Sequence, residues 1–382
     1  MLPGNPAPLR LPASDRGGTD HDRLQSQAPG LRHSEICRAG PADVSLEKPP
    51  GADAGREPGA AGARQVVAGI MAFMMRKKQV GHLFHRLRQL RRRRRTLARI
   101  ARAQRRPGPP AVDPVWPLPR HPNGPSDDDI RAQFAKHSRW YYAYEFDGGL
   151  DGSPPGSAAL RLDLRNGKGQ TARADGTLQR FRHFMPWLLQ ATGGNLRGRR
   201  VLDIACNSGF WSLQCALLGA EEVVGFDARP ELIEQARYVQ SVVGVENVNF
   251  RVLDFWQMSR ETLGGPFDVV LNLGILYHLP KPLEALELCR SLAREYMLLD
   301  TAVYPARHPL IRVAWEEPLD IRLAASGGIV MFPSKPGIEL MLKHVGLRDC
   351  LEIPLRTTDM PLDYLTGDRA SWLIRLPGRA AP

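Results

Sequence analysis

The sequence predicts an α/β fold in which helices flank a doubly wound, mostly parallel seven-stranded sheet. From residue 199 onward, short runs of apolar residues alternate with amphipathic stretches. Such alternation is typical of parallel strands joined by crossover helices. The chain has 382 residues, of which 43% are hydrophobic, so it is long enough to bury a sizeable core.

Five strands are expected in the first part of the sheet, each followed by a turn or a helix. The strands are predicted at residues 199–205, 223–226, 250–253, 267–273 and 296–299, with helices from Phe210, over 231–243 and over 283–292. Two later runs, 347–353 and 371–374, follow a helix over 337–345 and are expected to complete the sheet as an antiparallel pair.

Ahead of this sheet the composition changes several times, which divides the chain into segments. The Gly- and Pro-rich beginning cannot bury enough apolar surface to order itself and is expected to be disordered. The predicted segments are a disordered region at 1–65, a basic amphipathic helix at 76–106, a Pro-rich linker at 107–125, a helical substrate-side segment at 128–192 and the main domain at 193–377. Within 128–192, helices are predicted over 128–146 and around 181–188.

The net charge of +12 belongs to one part of the chain. Residues 76–106 hold 14 Lys or Arg and no acid, so the remainder is close to neutral. Such a helix is either a solvated extension or a contact surface for nucleic acid or an anionic lipid surface. The net charge of the whole chain therefore does not indicate that the main domain is basic.

Five cysteines without a CxxC pair predict neither a disulfide framework nor a metal site. This cysteine usage favours a reducing, cytoplasmic location. The apolar run 66–75 is too short to cross a bilayer, so no transmembrane segment is expected.

The segment VLDIACNSGFWSL, residues 201–213, runs from a strand through a glycine turn into a helix. Asp203 lies near the end of this strand, and Asp227 ends the next one. A carboxylate at the end of the following strand is suited to bind ribose hydroxyls. The pair predicts a site for an adenosine-bearing ligand.

The glycines of this turn separate two kinds of ligand. A dinucleotide fold needs a Gly-rich turn so that the backbone can approach a pyrophosphate. Here the first two glycine positions of the pattern are Ala205 and Asn207, and only Gly209 remains. S-adenosylmethionine carries no phosphate, and turn amides and a short polar side chain can hold its amino-acid part. The turn therefore favours S-adenosylmethionine over nicotinamide dinucleotides.

Polar residues at the ends of the next two strands extend this prediction. Asp254 and Phe255 follow the third strand, where a carboxylate and a ring suit an adenine base. Asn272, Tyr277 and His278 lie at the end of the fourth strand. His278 is a candidate base or orienting group for an acceptor, and Tyr277 a candidate lining residue of the sulfonium pocket.

These motifs together resemble class I S-adenosylmethionine-dependent methyltransferases, and among them the tRNA wobble-uridine (carboxy)methyltransferase group. The resemblance covers residues 180–376, about half of the chain, and rests on VLDIACNSGFWSL, VVGFDARPELIEQA, LGILYHLPKPLEAL, MFPSKPGIELMLKHVGL and RASWLIR. It implies methyl transfer from S-adenosylmethionine to tRNA or to a small molecule.

The resemblance also implies roles for single residues. Asp203, Ala205, Asn207 and Gly209 surround the methionine part of the cofactor, Asp227 the ribose, Asp254 the adenine, and Tyr277 lies near the transferred group. Carboxymethyl-transferring members hold an extra carboxylate with basic and aromatic groups. Tyr277 and Arg369 match these, but the region before Arg180 supplies no clear lysine and tryptophan at the expected places, which favours plain methyl transfer. A non-catalytic binding protein that is tethered through its basic helix remains the alternative.

Overall fold

The protein is described by a computed structural model, which covers residues 92, 94–137, 140–151, 162–163, 171–172, 175–317 and 327–377. The strands are β1 (Glu145–Phe146), β2 (Leu150–Asp151), β3 (Leu162–Asp163), β4 (Thr171–Ala172), β5 (Arg200–Ile204), β6 (Glu222–Asp227), β7 (Val248–Val252), β8 (Phe267–Leu273), β9 (Ala293–Ala302), β10 (Ile311–Glu316), β11 (Gly328–Pro333), β12 (Asp349–Glu352) and β13 (Arg369–Arg375). The helices are α1 (residues 94–104), α2 (Asp127–Lys136), α3 (Asp175–Ala191), α4 (Phe210–Leu217), α5 (Pro230–Val243), α6 (Arg260–Leu263), α7 (Pro282–Leu292), α8 (Lys335–His344) and α9 (Leu362–Thr366), with 3-10 turns at Phe255–Gln257 and Leu276–His278.

A seven-stranded sheet in the order β12-β13-β9-β8-β5-β6-β7 forms the centre of the domain. The strands from β9 to β7 are parallel neighbours, whereas β13 runs antiparallel to both β9 and β12. The predicted fold class, including its antiparallel ending, is therefore confirmed. The carboxyl ends of the five parallel strands meet at one edge, where ligands of open α/β sheets bind.

Helices cover both faces of this sheet, which explains why β5 and β8 are buried along almost their whole length. Helices α3, α4 and α5 pack on one face, together with aromatic residues from the segment before α3. Helices α6, α7 and α8 pack on the other face. The core therefore has two apolar layers, one on each side of the sheet.

The segment before α3 departs from the predicted helix over 128–146. Helix α2 is capped at its start by Ser126 and ends at Lys136, so the prediction is wrong beyond that residue. The reason is a change of period: Trp140, Tyr142, Tyr144 and Phe146 alternate with more exposed neighbours, and all four are buried. Apolar residues two apart are typical of extended chain rather than of helix. Phe146 accordingly belongs to strand β1, which pairs with β2.

The segment predicted as a linker, 107–125, lies against the domain. Leu118 is buried, its backbone N–H donates to Glu145 O, and Val115 exchanges hydrogen bonds with the Gln214 side chain. Of the predicted basic helix, residues 94–104 are helical. The region predicted to be disordered, 1–65, lies outside the described residues.

The hairpin of β10 and β11 is an insertion that the sequence did not predict. It follows β9 and pairs the two strands from Ile311 opposite Pro333 to Glu316 opposite Gly328. Its outward side carries Val313 and Trp315, which are 58% and 68% exposed, so the usual signal of alternating burial is absent. The inward side reaches the carboxyl edge of the sheet.

Among the described residues, no helix is both long and apolar enough to cross a membrane.

Candidate functional site

The turn between β5 and α4 forms the middle of the carboxyl edge. Ala205 and Asn207 both have a φ of 54°, and Gly209 has a φ of 89°, so three residues of this turn adopt left-handed backbone. A Cβ on Gly209 would lie 2.7 Å from Phe250 Cζ. Only glycine therefore fits at this position, both for its φ and for the close approach of Phe250.

Asp203 lies beneath the turn and is almost completely buried. Ser212 Oγ, in the first turns of α4, donates to Asp203 Oδ2 at 2.6 Å. Burial raises the pKa of Asp203 to about 7, in spite of the Ser212 hydrogen bond, and the charge of Asp227 adds to the effect. The carboxyl therefore changes its protonation near neutral pH.

Asp227 ends β6 beside the same turn and is 2% exposed. The backbone N–H of Asn207 donates to its Oδ2 at 3.2 Å, which connects the carboxylate to the turn. Arg229 holds the same carboxylate through its backbone N–H and its Nε and Nη2 atoms, at 3.1, 2.8 and 3.0 Å respectively. These contacts fix the direction of the carboxylate.

Asp254 caps the 3-10 turn after β7, because its Oδ1 accepts from the backbone N–H of Trp256 at 2.9 Å. The side chain of Phe255 is buried in the core, whereas Trp256 is 39% exposed. Asp254 is thus exposed next to the accessible ring of Trp256. The predicted roles of Asp254 and Phe255 at an adenine base stay predictions.

Asn272, near the end of β8, is completely buried. Its Nδ2 donates to Cys289 Sγ on α7 at 3.3 Å, and its Oδ1 accepts no hydrogen bond from the part of the chain that the structure describes. The side chain points into the layer beneath α7. Its predicted catalytic role stays a prediction.

Tyr277 and His278 lie in the 3-10 turn after β8, under the β10–β11 hairpin. His278 Nδ1 lies 2.6 Å from Glu316 Oε2, the last residue of β10. The ring of Tyr277 stacks on Phe332 of β11, with centroids 5.5 Å apart. Since a carboxylate can only accept, Nδ1 carries a proton, and in the neutral ring Nε2 is then the acceptor. The hairpin thereby sets the orientation and the tautomer of His278.

A buried polar cluster surrounds Asp300 of β9, beside the end of β8. The side chain of Asp300 accepts from Arg180 Nη2 (2.9 Å), Arg369 Nε (2.7 Å), Tyr364 OH (2.6 Å) and Ser371 Oγ (2.8 Å). Burial alone would raise the pKa of this carboxyl, but Arg369 and Arg180 hold it well below its usual range. We call this group the Asp300 cluster.

The Asp300 cluster faces the same edge as Tyr277. A Cβ on Gly274, which follows β8, would lie 3.0 Å from Arg369 Nη2 and 4.0 Å from Arg180 Nη2, so both guanidinium groups meet there. Arg369 also lies 5.9 Å from the centre of the Tyr277 ring. The Arg180 Nε atom is buried and has no partner among the described residues. Two buried cations therefore share the Asp300 carboxylate at this end of the crevice, and Arg369 Nη1 also lies 3.8 Å from Asp363 Oδ2.

Tyr141 lies between the two ends of the site. It is close enough to affect the pKa values of Arg229 at one end and of Arg180 and Tyr277 at the other. Tyr141 is half-buried in the extended segment before β1 and packs in part against the core.

The predicted residues thus form three groups and an outlier. Asp203, Asn207 and Asp227 are connected around the turn. Asp254 and Phe255 lie at the 3-10 turn after β7, and Tyr277 and His278 lie together beneath the hairpin, while Asn272 is turned away into the core. Glu316, Asp300 and Arg180 were missed. Each reaches the site from another element, and no local motif marks them.

The comparisons with known proteins agree with this geometry. Residues 195–312 match a family model described as "Methyltransferase domain". This range contains the turn, Asp227, Asp254 and the 3-10 turn with Tyr277 and His278.

Two kinds of curated relatives are similar over part of the chain. The tRNA U34 carboxymethyltransferase of Pseudomonas fluorescens (strain Pf0-1) is 28% identical over 170 residues, which are 43% of this chain and 51% of the relative. The ubiquinone biosynthesis O-methyltransferase of Bordetella parapertussis is 34% identical over 106 residues, which are 28% of this chain and 43% of the relative. The chain therefore spans about half the length of the curated relatives that it matches.

Among solved structures, the N-terminal domain of EvdMO1 with S-adenosylhomocysteine bound has a TM-score of 0.50. It is 19% identical, and the match covers 69% of this chain and 100% of that domain. At this identity the likeness concerns the fold alone.

Proposed function

The chain contains a class I S-adenosylmethionine-dependent methyltransferase domain, and we propose that it transfers a methyl group from S-adenosylmethionine to an oxygen or nitrogen of its acceptor. The proposal is carried by one observation: the left-handed turn 205–209 is connected through Asn207 to the buried carboxylate of Asp227. This arrangement supports a binding site for the methionine part of the cofactor beside an acceptor for its ribose hydroxyls.

The residues at this edge fit the cofactor. Gly209 allows the turn its shape, since a side chain there would collide with Phe250 of the core. Asp227 would hold the ribose, and Asp254 the exocyclic amine of the adenine. Phe255 supports the base from the core, and the exposed ring of Trp256 is available to cover its face.

When bound, the sulfonium supplies both an activated methyl group and its own leaving group. The chain therefore has to position the acceptor in line with the methyl group and to exclude water. As the new bond to oxygen or nitrogen forms, the bond to sulfur breaks and its electron pair stays on sulfur. His278 Nε2 would take the proton that the acceptor loses, while Glu316 holds the ring through Nδ1.

The acceptor is either an RNA nucleoside or a small molecule. The first is supported by the tRNA-modifying relative and the second by the O-methyltransferase relative. Incubating the full chain with labelled S-adenosylmethionine and separate fractions of RNA, protein, lipid and metabolites identifies the class, because the label appears in one fraction.

A second candidate function is carboxymethyl transfer, which the Asp300 cluster supports. Arg180 and Arg369 meet at Gly274 beside Tyr277, so basic and aromatic groups are present where an extra carboxylate would need them. Calorimetry with S-adenosylmethionine and with its carboxylated analogue separates the two functions. Tighter binding of the carboxylated form by tenfold or more would favour carboxymethyl transfer.

Absence of S-adenosylhomocysteine binding to the full chain would overturn both functions. Binding without labelled product in any fraction would instead support the non-catalytic alternative. The cysteines within the described residues are free thiols, which is in keeping with a reaction in the reducing cytoplasm.

A further inference from the structure

Helix α1 has one side that packs and one that is exposed. Thr96 and Ile100 are buried against the domain, at 9% and 4% exposure. The opposite side carries arginines that are exposed and form no ion pair within the described part of the chain. They are Arg94, Arg95, Arg99 and Arg102, with Arg105 and Arg106 just after the helix.

Contacts at both ends hold this helix on the methyltransferase domain. Arg92 Nη1 pairs with Asp368 Oδ1 at 3.0 Å, immediately before Arg369 of the Asp300 cluster. At the other end Arg356 Nη1 donates to the backbone oxygens of Ala103 and Arg106, at 2.7 and 3.0 Å. The exposed arginines therefore have a fixed position that begins beside the crevice. A solvated tail would have no such anchoring.

The chemistry of this side selects one kind of partner. Arginine binds phosphate oxygens through paired N–H groups, and a row of arginines over residues 94–106, roughly 18 Å long at 1.5 Å per residue, can bind several successive phosphates. A small phosphorylated molecule would use only part of this row. A helix that inserts into a lipid surface would need an exposed apolar side. Ile100 is already buried in the domain, so Leu97, at 43% exposure, is too little to form such a side.

We propose that the exposed arginine side of α1 binds the phosphate backbone of an RNA and holds the RNA beside the Asp300 end of the crevice. The inference deepens the proposed function, because it makes RNA the acceptor class, and it rests on that function only for the reaction. Binding of RNA itself is independent of the cofactor and of turnover.

The test uses the full chain and a fluorescein-labelled single-stranded RNA of mixed sequence, with anisotropy measured over a series of salt concentrations. The variant carries Arg95→Gln, Arg99→Gln and Arg102→Gln. The control carries Arg294→Gln, Arg348→Gln and Arg375→Gln, three exposed arginines at the opposite, amino-terminal edge of the parallel strands. Both variants lose the same charge, and neither changes a buried residue.

We expect the α1 variant to bind RNA at least tenfold more weakly at about 0.1 M salt. The slope of log affinity against log salt should become smaller in magnitude by about 2, because each of the three lost phosphate contacts contributes about 0.7 to it. The control should stay within threefold of the unchanged chain. Equal losses in both variants, or none in either, would overturn the proposal, as would binding to phosphatidylglycerol vesicles without binding to RNA.

Calorimetry with S-adenosylhomocysteine on the same samples separates the two proposals. RNA binding that depends on α1 without S-adenosylhomocysteine binding would contradict the methyltransferase function and leave the RNA surface in place. Unchanged S-adenosylhomocysteine binding together with RNA binding that does not depend on α1 would contradict the RNA surface and leave the methyltransferase function in place.

Discussion

At the side of the crevice that we propose for the cofactor, called the donor side below, the turn 205–209 lies between the strand and the helix that it joins, and Asp227 follows one helix later. At the other side, which we propose for the acceptor and call the acceptor side, Asp300 accepts hydrogen bonds from Arg180 of α3, Tyr364 of α9 and Arg369 of β13. The donor side is thus built from neighbours in sequence and mainly through backbone geometry. The acceptor side is built from distant side chains and charge.

This difference has a physical consequence for each side. A backbone turn loses its shape when one residue with a special φ is replaced, but it depends little on remote residues. A buried charge cluster depends on all its members, because each charge that loses its partner pays the full cost of burial. Mutations should therefore affect ligand binding on the donor side and folding on the acceptor side.

The largest effect is expected for Asp300→Ala, which leaves two buried guanidinium groups without their shared carboxylate. The free energy of unfolding should fall by about 3–5 kcal/mol, as for other buried ion pairs that lose one partner. Urea unfolding measures the loss. Ser371→Ala removes a single hydrogen bond to the same carboxylate and should cost only about 1 kcal/mol. Equal losses in both variants would show that the charges do not stabilise the cluster.

Asp227→Ala tests the donor side. Removing the charged hydrogen-bond acceptors for the ribose should weaken S-adenosylhomocysteine binding by roughly 10- to 100-fold. This factor corresponds to about 1.5–3 kcal/mol, the free energy of a hydrogen bond to a charged group. Calorimetry gives the dissociation constant. Asp268→Asn is the matched control, since Asp268 lies at the start of β8 and accepts from Arg200 N. An unchanged dissociation constant in Asp227→Ala would remove the donor side from the proposal.

Asp203 allows a test by pH. Its pKa is about 7 in the folded chain against an ordinary value of 3.8, with burial as the main cause. The folded state therefore holds a proton that the unfolded state has lost between these values, and stability falls as the pH rises through this window. Asp203→Asn, which carries no charge, should unfold at a higher temperature than the unchanged chain at pH 8, with little difference at pH 4. A melting difference that does not depend on pH would contradict this.

Glu316→Gln should have the smallest effect on stability, about 1 kcal/mol, because the amide still forms a hydrogen bond to His278. The exclusive Nδ1–H tautomer of His278 should be lost, since an amide can either donate or accept. Nitrogen NMR of the ring distinguishes the tautomers. Binding of S-adenosylhomocysteine should stay within twofold, and a larger loss would mean that the hairpin shapes the donor side as well.

The sequence was sufficient for the sheet and for the positions of the turn with Gly209 and of Asp227 at the end of β6, because all of these are local patterns. It failed where local patterns conflict or are absent. Trp140 to Phe146 contains aromatic residues that satisfy a helical spacing in part, although a period of two fits the buried set. Arg180 looks like an ordinary helical arginine until Asp300 and Arg369 are brought beside it by the sheet.

The Asp300 cluster also orders events during synthesis. Tyr364, Arg369 and Ser371 all belong to the last elements of the described chain, whereas the turn and Asp227 are made much earlier. During synthesis, Asp300 therefore lacks these three hydrogen-bond donors until the end of the described chain has left the ribosome.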